Sequence, residues 1–246
     1  KKHGIDYISQ SAIDTLARRT IGKSPANLEM IVEFALRNKK GERLTEAELQ
    51  TALDAESYGE EREWKDEVVR KTTCHEAGHA LVSYFTGKTP TYLTNISRGS
   101  FGGYMLPAIE EDKFDYTLGD ILDEICCAMG GRAAEIVCYG KELGTSTGAS
   151  SDLRQATEKA KRLICNYGMD EEYPFALDAN ALSGEMKERV YQRIGQIVKE
   201  QLERAISIIS SHKDAMDALV DALYRKNGMD GAEIEEVLSP FFAKKL

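Results

Sequence analysis

Thr72 to Phe85 reads T-T-C-H-E-A-G-H-A-L-V-S-Y-F, which sets His75, Glu76 and His79 inside an apolar pattern of helical spacing. An α-helix turns about 100° and rises about 1.5 Å per residue, so residues four apart share one face. His75 and His79 can therefore chelate a single ion. Glu76, one step round the helix from His75, stands beside that ion, where a base acting on a water molecule belongs. The arrangement points to a zinc hydrolase. An isolated histidine on an apolar helix face is more often a satisfied core residue. That explanation fits poorly here, because the chain has four histidines and two of them flank the right glutamate at the right spacing. Two imidazoles still do not complete a catalytic zinc site, which takes three protein ligands and leaves one position open.

Around this stretch, 246 residues that are 42% hydrophobic and 30% charged describe a folded chain with room for two modest domains or one large one. The formal net charge is −9. It argues against a general nucleic-acid surface and against attraction to anionic lipid. No run approaches the ~20 consecutive apolar residues of a membrane span, and no signal peptide opens the chain, so a soluble segment is expected. It also lacks an initiating methionine, as an excised piece of a longer protein would. The five cysteines include the vicinal pair Cys126-Cys127 and show no C-x-x-C spacing, so reduced, mostly buried thiols are expected.

Residues 1–60 read as a small helical module. Ser11 precedes A-I-D-T-L-A-R-R, Ser24-Pro25 opens a helix carrying Leu28, Ile31, Val32, Ala35 and Leu36 at helical spacing, and Thr45 opens another. Gly22-Lys23-Ser24 resembles the end of a phosphate-binding loop, but the first glycine of that loop is replaced by Ala17 and no strand precedes it. Charged residues from Ser57 to Lys65 form the expected linker.

Asp66 to Phe85 is the expected motif helix, with Val68, Val69, Thr72, Ala80, Leu81, Tyr84 and Phe85 available for burial. Between Thr91 and Ala108 come two short strands, Y-L-T-N-I-S and G-G-Y-M-L-P-A, separated by Arg98-Gly99-Ser100-Phe101. A peptidase can hold substrate as an added strand on such an edge, because main-chain hydrogen bonds grip any sequence. Gly102, Gly103, Tyr104 and Met105 are the candidate substrate-binding residues. Thr117 to Tyr139 is helical, with Gly130-Gly131 marking a break or a close packing contact. The loop G-T-S-T-G-A-S-S then leads into a helix beginning near Asp152 and closed by Gly168. Two carboxylates compete for the third metal position, Glu135 before that loop and Asp152 after it, and spacing alone leaves the choice open.

H-E-A-G-H-A-L, R-G-S-F-G-G-Y, G-G-R-A-A-E and S-T-G-A-S-S-D-L-R-Q-A-T follow one another between His75 and Thr157. In that order they closely resemble the peptidase domain of FtsH-type ATP-dependent zinc metalloproteases. Leu16 to Glu29, L-A-R-R-T-I-G-K-S-P-A-N-L-E, resembles the helical lid ending that family's AAA ATPase domain, with Pro25-Ala26-Asn27 in place of the usual G-A-D. The resemblance implies a mainly α fold: residues 1–60 a helical AAA-lid module, and 61–246 a mostly helical zinc-peptidase domain with a small β-hairpin or sheet. It implies one Zn2+ per chain on His75, His79 and Asp152, with Glu76 as the catalytic base and Glu135 in support. It further implies a homohexameric ring fed with unfolded membrane and cytosolic proteins on the cytoplasmic side of a membrane. The resemblance also assigns ATP and the membrane attachment to segments outside this chain. Two other readings stay open at this point: a catalytically silent oligomerisation module with a structural zinc, and a lid module binding nucleotide or an adaptor.

Overall fold

The computed structural model describes residues 22–99, 102–107, 113–179 and 181–242, together with Ile8, Ile13, Leu16, Ala17, Arg19 and Thr20. The helix expected after Ser11 lies largely outside the described residues, as do His3, Ser100 and Phe101. Compactness divides the chain into two units, Lys1–Trp64 with Ile96–Gly102, and Lys65–Asn95 with Gly103–Leu246.

In the first unit, α1 (Pro25–Asn38) starts where Ser24 Oγ accepts from the Asn27 N–H at 3.2 Å, with Pro25 at the position that has no helical N–H to lose. α2 (Glu46–Tyr58) opens on a reciprocal cap: Glu48 N–H donates to Thr45 Oγ1 at 3.2 Å, and Thr45 N–H donates to the Glu48 carboxylate at 2.8 Å. Ile31, Ala35, Leu44, Leu49, Ala52 and Leu53 make its core. Leu28, expected in the apolar stripe, is 38% exposed because it lies on the first turn, ahead of the buried positions. Lys23 pairs with Glu56 at 2.6 Å and Ser24 serves as a cap, so the G-K-S string does local structural work.

The second unit is built round α3 (Asp66–Phe85). Ten residues between Thr73 and Ser83 are buried, among them Cys74, Glu76, His79, Leu81 and Val82. A helix buried on every side must be covered by several neighbours. Here they are α4 (Leu118–Ala128), α5 (Gly130–Gly144), α7 (Gly184–Ser211) and α8 (Lys213–Lys226). Val68, expected inside, is 40% exposed, since the buried run starts only at Thr73. The Gly130-Gly131 pair does both things its composition allowed. The helix breaks at Met129, between α4 and α5, and a Cβ on Gly130 would lie 2.7 Å from the Gly78 carbonyl oxygen, so α3 and α5 cross almost backbone to backbone. Regular helix ends near Tyr139, with α5 kinked at Gly140, and α6 (Ser150–Cys165) follows.

β1 (Tyr92–Thr94) pairs antiparallel with β2 (Tyr104–Leu106), Leu93 opposite Met105. The pairing expected from the sequence gains a third strand, β3 (Gly228–Asp230), which brings Met229 opposite Leu93 on the other side and gives the order β2-β1-β3. Three residues with one apolar side chain carry no strand periodicity, so β3 exists only through this distant pairing. Asp230 also caps α9 (Gly231–Phe242): Glu233 N–H donates to Asp230 Oδ1 at 2.9 Å and Asp230 N–H to Glu233 Oε2 at 3.0 Å.

Leu81, Ile125, Met129, Leu163, Ile209, Met216, Leu219 and Leu223 fill the core. The five cysteines form no disulfide; Cys74, Cys126 and Cys165 are buried, Cys127 half-buried and Cys138 exposed. Among the described residues no helix is long and apolar enough to cross a membrane.

Candidate metal centre

Helical spacing on α3 turns His75 and His79 the same way, with ring centroids 4.8 Å apart. Their Nε2 atoms lie 3.1 Å from each other. Asp152, in the first turn of α6, brings Oδ2 to 3.1 Å from His75 Nε2 and 3.6 Å from His79 Nε2. Ligands at 2.0–2.1 Å in tetrahedral array stand about 3.3 Å apart, so this triangle has the dimensions of one face of a zinc site. Among the described residues it is the group of three histidine, cysteine or acidic side chains whose donors converge closely enough for one ion.

The ring nitrogens facing away from the triangle are occupied. His75 Nδ1 donates to Glu135 Oε1 at 2.9 Å and His79 Nδ1 donates to the Cys127 carbonyl oxygen at 2.8 Å. A carbonyl oxygen only accepts, so His79 carries its proton on Nδ1 and its Nε2 lone pair is directed at the triangle. Glu135, which shared with Asp152 the candidacy for third ligand, thus stands behind His75. Asp152 is on the Nε2 side.

Charge is arranged accordingly. Burial works against the ionised form of Asp152, yet its bonds with His75 and His79 hold the carboxyl below the usual carboxylate range. Burial also opposes a charge on His75, but the hydrogen bonds from its ring to Asp152 and Glu135 outweigh it and raise the pKa to about 10. Burial pushes Glu76 up, against the pull of His75 and His79. Glu135 loses to burial and gains more from His75 and Ser146, and ends below its ordinary value.

Glu76 is 7% exposed, and a Cβ on Gly103 would meet Glu76 Cγ at 2.9 Å and the Thr94 carbonyl oxygen at 2.6 Å. The absence of a side chain at Gly103 therefore lets the entry to β2 lie directly on the glutamate. Tyr104 and Met105 lie in β2, at the edge of the sheet; the Tyr104 ring lies 5.8 Å from that of Tyr92, tilted 41° to it, and Met105 packs on the core. Gly102 is exposed, belongs to the first compact unit, and accepts from Ser97 Oγ at 2.7 Å.

Gly131 was legible in the sequence only as half of a packing pair. In the fold it faces the triangle of His75, His79 and Asp152: a Cβ there would stand 2.5 Å from His79 Nε2 and from His75 Cε1, and closer still to His75 Nε2. Its position one turn before Glu135 was the signal that could have exposed it, because positions four apart on α5 face the same histidines.

Residues 62–237 match peptidase family M41. The chain belongs to that family. Among curated proteins, an ATP-dependent zinc metalloprotease FtsH 3 of Sphaerobacter thermophilus is 35% identical over 93% of this chain and 48% of its own length. FtsH proteins of Thermotoga maritima and Akkermansia muciniphila are each 31% identical, over 94% and 92% of this chain and 42% and 30% of their own lengths. This chain thus spans less than half the length of these relatives, and the FtsH-type resemblance of its motifs is borne out. Its M41 region contains the whole triangle, Glu76 and β2.

Proposed function

We propose that this chain is a zinc-dependent endopeptidase of the H-E-x-x-H type, with Zn2+ on His75, His79 and Asp152 and Glu76 as general base. The observation that carries the proposal is the triangle of two Nε2 atoms and Asp152 Oδ2, 3.1–3.6 Å on a side. A zinc ion held there would bring the pKa of a water molecule toward ~7 and would polarise a peptide carbonyl. Glu76, desolvated and pushed up in pKa, would take a proton from the attacking water as its oxygen bonds to the peptide carbonyl carbon, and would return that proton to the amide nitrogen as the C–N bond breaks. Glu135 and the Cys127 carbonyl hold the two imidazoles in the tautomer that presents Nε2.

Substrate lies as an extended strand along Gly102, Gly103, Tyr104 and Met105, with main-chain bonds giving grip and little side-chain selection. The close approach of Gly103 to Glu76 supports that location, because the start of β2 lies against the side chain taken as the base. Selection then falls to delivery. The names of the relatives support an ATPase partner domain, with ATP confined to it. The assembly is a homohexamer handling unfolded membrane and cytosolic proteins on the cytoplasmic face of a membrane, and residues 1–60 act as the lid of the ATPase.

The deciding experiment compares the zinc-loaded chain with Glu76→Gln on an unfolded fluorogenic peptide. Loss of nearly all turnover with zinc content unchanged is expected. Equal turnover by both proteins would overturn the assignment, and no turnover by either would favour a silent zinc module.

A further inference from the structure

α5 and α6 deliver two carboxylates to opposite sides of the His75 ring, Glu135 to Nδ1 and Asp152 to Nε2, and only residues 145–149 connect the helices. Within that connection Ser146 is gripped at two points. Its hydroxyl donates to Glu135 Oε2 at 2.8 Å, and its carbonyl oxygen accepts from Arg132 Nη2 at 2.6 Å. The Gly148 N–H in turn donates to Ser146 Oγ at 3.2 Å. Arg132 is only 8% exposed, forms no ion pair among the described residues, and leaves its Nε without a hydrogen-bond partner. Burying a guanidinium without a counter-charge is costly. Such a residue makes poor sense as packing. Spent on a loop carbonyl, it ties the segment that precedes Asp152 to the first turn of α5, where Gly131 faces the same two rings.

We propose that Arg132 and Ser146 form a clasp that sets the separation of Glu135 and Asp152, and with it how firmly His75 is held between them. Both are positioning residues: neither reaches the Nε2 triangle, and each acts through the loop or through Glu135. The inference rests on the zinc assignment made above. Deleting the Ser146 hydroxyl frees one lobe of Glu135 and loosens its hold on Nδ1. Removing the Arg132 guanidinium releases the carbonyl and lets the start of α6 drift from the histidines.

The test is zinc affinity, measured by competition with a chromophoric chelator, beside the melting temperature of the metal-free protein. Four variants are compared with the parent: Ser146→Ala, Ser146→Thr, Arg132→Met and Asp152→Ala. Partners behind a metal-binding imidazole are worth about 10–100-fold in affinity, so about a 10-fold loss is expected for Ser146→Ala and Arg132→Met, with Ser146→Thr near the parent. The metal-free melting temperature of Ser146→Ala should stay at the parent value. Asp152→Ala separates the two levels of inference. If it keeps parental affinity, the zinc assignment itself fails. If it loses zinc while Ser146→Ala binds as tightly as the parent, the clasp is refuted and the zinc site stands. Should Arg132→Met lower the metal-free melting temperature, the two Ser146 variants decide alone.

Discussion

Replacing Gly131 by alanine adds one methyl group at the most crowded point of the candidate site. Its carbon would stand 2.5 Å from His79 Nε2 and from His75 Cε1, whereas non-bonded heavy atoms settle at about 3.5 Å or more. Relief therefore requires a retreat of about 1 Å by both imidazoles or by α5. The helix does not withdraw easily, because that would pull apart the close backbone crossing of α3 and α5 at Gly78 and Gly130. The rings must move, and zinc coordination tolerates only about 0.2 Å of error in ligand distance. A displacement of 1 Å also costs on the order of 10²-fold in turnover. Gly131→Ala should thus fold, with a helical circular-dichroism spectrum close to the parent, yet retain little zinc after dialysis and cleave unfolded peptide at least about 10²-fold more slowly. Metal content by atomic emission and peptide cleavage at saturating zinc provide the readout. A Gly131→Ala protein that binds one zinc with parental affinity and cleaves at the parental rate would refute the geometry on which the site rests.

Four further outcomes follow from the same structure. Glu135→Ala should weaken zinc binding about 10–100-fold in chelator competition and leave the helical fold intact, because it removes the acceptor behind His75 Nδ1. In the metal-free protein the raised His75 pKa, about 10, adds stability that is complete below its ordinary value near ~6.5 and is lost as pH climbs through about 10. The depressed Asp152 pKa adds stability that is present above ~3.9 and lost as pH falls below it, so melting in chelator should be highest between these limits and zinc uptake should release a proton at neutral pH. Gly195→Ala, on an exposed turn of α7 with nothing within 4 Å of the new carbon, should raise unfolding stability by about 0.5–1 kcal/mol in urea titration. Arg193→Met should cost about 2 kcal/mol in the same assay, since it strips the 2.8 Å partner from the buried Asp170 carboxylate.

How much was legible depended on the range of the physics involved. Ser24, Thr45 and the Asp230–Glu233 pair announced helix starts because a cap is satisfied within one turn. His75, Glu76 and His79 were readable for the same reason, since helix geometry alone brings positions four apart together. The amphipathic stripe of α7 was equally open, while α3 is exposed over its first turns and buried all round from Thr73, so no single polar face orients it and Val68 lies exposed where its apolar character suggests burial.

Local chemistry written in consecutive residues thus determined the helices, their caps, and the turn of helix that brings His75, Glu76 and His79 together. Which carboxylate lies at Nε2 and which behind Nδ1, how β3 finds β1, and why position 131 must lack a side chain were decided only by tertiary structure. Each depends on two segments far apart in sequence meeting within about 3 Å, a distance that packing of the whole core imposes and no short-range pattern encodes.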